Sequence, residues 1–207
     1  MKKKLIYGIG INDSTEPVSW WEPNGVRGRC KIYSKWVCIL QRCYTEYGLS
    51  KNPTYSGVTI CDEWRYLTKF KSWVQSQAWE GLDLDKDILK EGNKIYSPET
   101  CCFVPKFLNI FLKDNKRGEF PLGVHMVYNG KFKAQCRVDG KVKCLGTFKT
   151  PEQAHKAWQR AKVIETEKVL NSYSVMDCFR TDVAESISTS IWKLRLDLAS
   201  NKESLKL

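Results

Sequence analysis

Lys131-Phe132-Lys133-Ala134-Gln135-Cys136-Arg137-Val138-Asp139-Gly140-Lys141-Val142-Lys143-Cys144-Leu145-Gly146-Thr147-Phe148 is a hairpin written in residue types. Phe132, Ala134, Cys136 and Val138 take every second position, with Lys131, Lys133, Gln135 and Arg137 between them. Period two marks a strand with one apolar and one basic face. Asp139-Gly140 tolerates positive φ at both positions, the favoured chemistry of a two-residue turn. The chain returns with Val142, Cys144 and Phe148 expected toward the core and Lys141, Lys143 and Thr147 outward. Upstream, 123–128 reads as a third strand, closed by Asn129-Gly130, another hairpin pair. The expectation is a three-stranded antiparallel sheet over 123–149.

A helix follows. Thr150 suits the cap, Pro151 the first helical position, and Gln153 completes a capping box. Ala154, Ala157, Trp158, Ala161 and Ile164 then form one apolar stripe, whose alanines allow close approach to a sheet. The helix covers one sheet face. The other face is left bare and carries Lys131, Lys133, Gln135, Arg137, Lys141 and Lys143.

Charge concentrates in the same place. The chain has 207 residues, room for one large domain or two small ones, and a formal net charge of +11. Residues 116–170 hold twelve basic and five acidic side chains, whereas 30–115 hold twelve and ten and 171–207 five and five. A localised excess is the footprint of a module that binds a polyanion. The 42% hydrophobic content and eight Trp are enough for a core, which excludes wholesale disorder. No apolar run approaches the roughly 18 residues that span a bilayer, so no membrane association is expected. Nine Cys, an odd number without CxxC pairs, fit a reducing, intracellular compartment better than a disulfide scaffold.

Gly123-Val124, Phe132-Lys133-Ala134-Gln135, Leu145-Gly146-Thr147-Phe148, and Thr150-Pro151-Glu152-Gln153-Ala154 with Trp158 occur in order over about 50 residues. This stretch resembles the APETALA-type (ethylene-response-factor) DNA-binding domain of plants, which also occurs in phage and bacterial endonucleases. The resemblance implies that the bare sheet face enters the major groove of double-stranded DNA. It gives base-edge or phosphate roles to His125, Lys131, Lys133, Gln135, Arg137, Lys141 and Lys143. His125 stands where the plant proteins have Arg, so their sequence specificity is not carried over. His125 and His155 are the only histidines, and both read as structural or phosphate-neighbouring rather than catalytic.

The segment 30–110 is aromatic-rich and nearly balanced in charge. A helix is expected over 33–47, with Trp36, Leu40, Cys43 and Tyr47 inward and Gly48 as its stop. A short strand at 58–61 and a second helix over 62–77, with Trp64, Leu67, Phe70 and Val74 inward, come next. An acidic knot, Asp83-Leu84-Asp85-Lys86-Asp87, precedes a Gly92-Asn93 turn, the apolar run Cys101-Cys102-Phe103-Val104 and a short helix through Asn109.

Trp36 with Arg42-Cys43-Tyr44, Val58 to Trp64, Phe70, Leu84-Asp85-Lys86-Asp87, Gly92-Asn93, Tyr96-Ser97-Pro98-Glu99-Thr100-Cys101 and Asn109 resemble, in order, a branch of the HNH-type endonucleases of phages and bacteria. The resemblance implies a ββα finger holding one divalent metal, magnesium or manganese. Asp85 falls at the strand ligand, Asn109 at the helix ligand, and Lys86 where the general-base His often stands. An ordinary Lys is protonated at neutral pH and is a poor base. Two readings follow. Either Asp87, or a water held by Asp85, does the base's work with a metal lowering the water's pKa, or the finger binds DNA without catalysis. Cys43, Cys61 and Cys101, with Cys30, Cys38 or Cys102 as a fourth, could meet on a structural zinc; buried free thiols are the other reading.

The N-terminal 1–29 segment reads as a strand over 5–11 and a polar loop with Trp20-Trp21. The polar stretch 112–120, with Lys116 and Arg117 as phosphate contacts, divides an HNH-like module (30–112) from the βββα reader (118–170). In the remaining 171–207 segment, Ile187, Ile191, Leu194 and Leu198 make an amphipathic helix that packs back on the protein or serves a protein partner or homodimer. The expectation is an α+β DNA-binding protein, an HNH-like endonuclease of the homing type. The alternatives are an inactive DNA-binding regulator or inhibitor and a protein-binding adaptor. If the resemblance extends to phage origin, the site of action is the cytoplasm of an infected bacterial host.

Overall fold

The computed structural model describes residues 5–113 and 118–206. The fold is mixed α+β, with six α-helices and several small sheets among the described residues. The chain divides into two units, Met1–Pro105 and Lys106–Leu207.

In the first unit no strand runs over 5–11. Tyr7 and Gly8 both have positive φ, and the chain folds back so that the Ile6 N–H donates to the Gly10 carbonyl at 2.8 Å. A glycine that relieves the turn breaks the apolar run the sequence offered for a strand. The regular N-terminal element is instead the hairpin β1 (Ser19–Trp21) and β2 (Arg27–Arg29).

Helix α1 (Lys31–Tyr44) buries Ile32, Trp36, Ile39, Leu40 and Cys43. It stops earlier than expected. Thr45 is extended, and its hydroxyl accepts the Gly48 N–H at 2.9 Å, capping a separate helix α2 (Glu46–Lys51). Tyr47 therefore turns outward, 63% exposed, and Gly48 sits inside α2 rather than ending α1. A Cβ at Gly48 would lie 2.1 Å from the Gln41 carbonyl, so glycine is needed for contact between the two helices.

The expected 62–77 helix is also two pieces, a single 3-10 turn at Glu63–Arg65 and α3 (Leu67–Gln75). Tyr66 between them is extended. The inward residues are nonetheless as expected: Trp64, Leu67, Phe70 and Val74 are all buried. The Trp36 indole donates to the Trp64 carbonyl at 2.6 Å inside this core. Strand β3 (Thr59–Ile60) pairs in parallel with β5 (Ile95–Tyr96), and β4 (Asp83–Asp85) pairs antiparallel with β6 (Cys102–Val104).

In the second unit, α4 (Lys106–Leu112) precedes the three-stranded antiparallel sheet β7 (Val124–Val127), β8 (Lys131–Val138) and β9 (Lys141–Phe148). Asp139 and Gly140 have φ of 50° and 77°, the left-handed pair expected of this hairpin. Helix α5 (Pro151–Ser174) starts at Thr150, whose hydroxyl accepts the Gln153 N–H at 3.3 Å. Val124, Ala134 and Ala154 form the sheet–helix core. Gly123 (φ +77°) lets the chain pass Trp158: a Cβ there would meet Cδ1 at 1.9 Å.

Helix α5 is longer than expected and packs on two sides. Helix α6 (Thr181–Ala199) lies along it and buries Val183, Ile187, Ile191 and Leu194. Of the two roles open to this amphipathic helix, the structure shows it packing back. A second buried side rotates the stripe, so Ile164 points out while His155, Gln159, Lys162, Glu165 and Thr166 are buried. The tail closes over α5. Gln159 Nε2 donates to the Lys202 carbonyl and to Ser204 Oγ, both at 2.9 Å. The Ser204 N–H lies 3.0 Å from His155 Nε2, and His155 Nδ1 lies 2.9 Å from the Leu122 carbonyl. Since a backbone N–H donates to Nε2 and a carbonyl faces Nδ1, the ring is the neutral Nδ1–H tautomer. His155 is thus a structural tie.

Candidate nucleic-acid interface

Residues directly opposite in an antiparallel pair point to the same sheet face. Ala134 and Cys136 point at α5, so Lys131, Lys133, Gln135 and Arg137 point away from it. His125 lies opposite Lys133 and joins this bare face, as does Thr147. The outward half of the strand reading therefore holds for β8.

It fails for part of β9. Ala134 pairs with Gly146 but Gln135 pairs with Cys144, so Leu145 is an extra residue in a β-bulge. Gly146 has φ +134°. A one-residue slip sends the side chains that precede it on β9 to the opposite face. Lys143 accordingly lies opposite Cys136 and Lys141 opposite Val138, on the helix side of the sheet. Lys143 Nζ is 3.3 Å from Asp139 Oδ2, and Lys168 Nζ is 3.1 Å from Asp139 Oδ1. These two lysines hold the Asp139 carboxyl below its usual range, the Lys168 hydrogen bond most. Lys141 and Lys143 thus leave the bare face, and Cys144 and Val142 (62% exposed) replace them opposite Gln135 and Arg137. The signal for this lay in the sequence: an isolated glycine inside a strand pattern marks a bulge.

Lys131, Lys133 and Arg137 form no ion pair among the described residues. Along β8 they span about 20 Å, and three strands are about 10 Å across. The B-DNA major groove is about 12 Å wide. Lys116 and Arg117 lie outside the described residues.

In the first unit, Asp85 ends β4. Its Oδ1 accepts the Asp87 N–H at 2.7 Å and the Ile88 N–H at 2.8 Å. Burial raises the carboxyl's pKa, against the pull of these two N–H groups. Lys86 is buried and donates to Asp87 Oδ1 at 2.6 Å and to the Asn93 carbonyl at 2.9 Å. Asn93 Nδ2 returns bonds to the carbonyls of Lys86 and Ile95, so one amide stitches the loop shut. The residue at the expected base position is therefore a buried cation neutralised by the carboxylate expected to act as base. Asn109 lies on α4, in the second unit.

Burial raises the thiols of Cys43 and Cys61 to about 11 and that of Cys101 to about 12. None of the nine cysteines is in a disulfide, and Cys144 is the exposed one. No cluster of three or more His, Cys, Asp or Glu side chains arranged to hold a metal ion occurs among the described residues. No helix among them is long and apolar enough to cross a membrane. Compared with protein-family models, curated proteins and solved structures, the chain finds no significant match.

Proposed function

We propose that this chain binds double-stranded DNA through the bare face of β7–β9. The observation that carries the reading is that face: Lys131, Lys133 and Arg137 in one row, without ion-pair partners among the described residues, beside Gln135 and His125. Arg and Gln can make bidentate contacts to base edges, and Lys neutralises phosphate. The sheet's width suits the major groove, and the APETALA-type resemblance points to the same docking. Fluorescence anisotropy of a labelled duplex over a salt series tests it. Lys133→Ala with Arg137→Ala should weaken binding at least tenfold and lower the salt slope by about 1.8. Unchanged affinity and slope would remove the reading.

A second reading adds phosphodiester hydrolysis by an HNH-like ββα finger. It is favoured by the antiparallel pairing of β4 with β6, with Asp85 at the end of β4. Asp85 would hold a magnesium or manganese ion, which supplies an activated water. A plasmid-cleavage gel with magnesium, manganese or EDTA tests it. Metal-dependent nicking that Asp85→Asn abolishes supports hydrolysis. Retarded but intact plasmid in every lane leaves a DNA-binding protein without that activity.

A further inference from the structure

The two adjacent tryptophans of β1 have opposite fates. Trp20 lies opposite Gly28, and its ring folds over that glycine: a Cβ there would be 2.3 Å from Nε1. The Trp20 indole also donates to the Glu22 carboxylate. Trp20 therefore holds its own hairpin. Trp21 is on the other face, 73% exposed, directly opposite Arg27. Ser19 and Arg29, the next opposed pair on that face, put a second arginine beside it. Neither arginine has a carboxylate partner among the described residues. Arg29 is not loose, because its guanidinium lies 4.9 Å from the centre of the Tyr33 ring.

We infer that this hairpin face is a second nucleic-acid site, one that takes an unstacked base of a single strand. The flat indole is the platform, and Arg27 and Arg29, along the neighbouring strand β2, meet successive phosphates of the nucleic-acid strand whose base is stacked. Charge complementarity selects this occupant: two cations without counter-ions among the described residues lie along the strand beside one aromatic plane, the pairing that single-strand binders use. A protein partner would suit an exposed Trp equally but would need acidic groups to meet both arginines. The inference stands apart from the sheet-face reading, since it uses other residues in the other unit.

Fluorescence anisotropy with a labelled oligothymidylate and with a duplex of equal length tests it on the full chain. Trp21→Ala should weaken oligothymidylate binding about tenfold, Trp21→Phe should retain most of it, and Lys133→Ala with Arg137→Ala should lower duplex affinity instead. Because Trp21 is exposed, its replacement leaves the core intact, and the Phe variant controls for the fold. Wild-type affinity for oligothymidylate in Trp21→Ala would overturn the inference. So would loss of self-association in that variant with oligonucleotide binding unchanged, which would make the face a protein contact. Failure of the duplex arm alone would remove the sheet-face reading and leave this one standing.

Discussion

Lys162 is buried in the second unit on a helix whose expected inward stripe is Ala154, Ala157, Trp158, Ala161 and Ile164. Its Nζ lies 3.6 Å from the centre of the Phe111 ring. Burial pushes its pKa down to about 8, against the smaller pull of Cys136 and Glu165. The folded chain therefore releases this proton earlier than the unfolded chain does. Below pH 8 both states hold it and the burial cost is fully present. Between pH 8 and about 10.5 the unfolded state binds more protons, so stability rises with pH. The shift corresponds to about 3 kcal/mol, partly offset at low pH by the cation–π contact. Buried thiols such as Cys101 act oppositely, so the comparison with a variant isolates the effect. Urea unfolding of wild type and Lys162→Met should show the wild type gaining about 2–3 kcal/mol on the variant between pH 7 and pH 10. A pH-independent difference would show that the ammonium is solvated. In the first unit Lys86 makes the contrast, buried with a carboxylate and a carbonyl at hydrogen-bond distance. A Lys so held ties its own loop together.

At the scale of elements, the bulge in β9 decides which lysines lie on the bare face of the sheet. Lys133 is on the bare face and Lys143 on the helix side, paired with Asp139. Lys143→Ala should change duplex affinity by no more than about twofold, since an exposed paired charge contributes little. Lys133→Ala should cost severalfold more. Equal losses in anisotropy measurements would contradict the register. What the sequence shows about elements follows from which force forms each one. The β8 strand, the Asp139-Gly140 turn and the Thr150 cap are local, so period and turn chemistry reveal them. The burial of Trp64, Leu67, Phe70 and Val74 was legible too, because the inward set survives the break at Tyr66. The breaks themselves were not. The end of α1 depends on Thr45 capping a second helix, and the turn at Tyr7 and Gly8 on a backbone reversal. Nor was the exposure of Ile164 legible: it depends on α6 packing on α5, because a second neighbour rotates the buried stripe.

Across the whole molecule, charge is the thread. The net +11 concentrates in the 116–170 segment, and part of that excess is the row Lys131, Lys133 and Arg137. Other basic groups of the segment serve the fold: Lys143 and Lys168 flank Asp139, and Lys162 is buried. Composition pointed to the region, and the register sorted its cations into those that build the unit and those that face away from it. A native reporter sits on the same face. Cys144 is the exposed one of nine cysteines and lies opposite Gln135 on the bare face. Alkylation of Cys144 by iodoacetamide, followed by mass spectrometry with and without saturating duplex DNA, reads occupancy of that face directly. The account predicts that duplex slows Cys144 modification severalfold, and that the protection is lost in the Lys133→Ala, Arg137→Ala variant. Duplex bound at saturation with Cys144 alkylated at its free rate would contradict it.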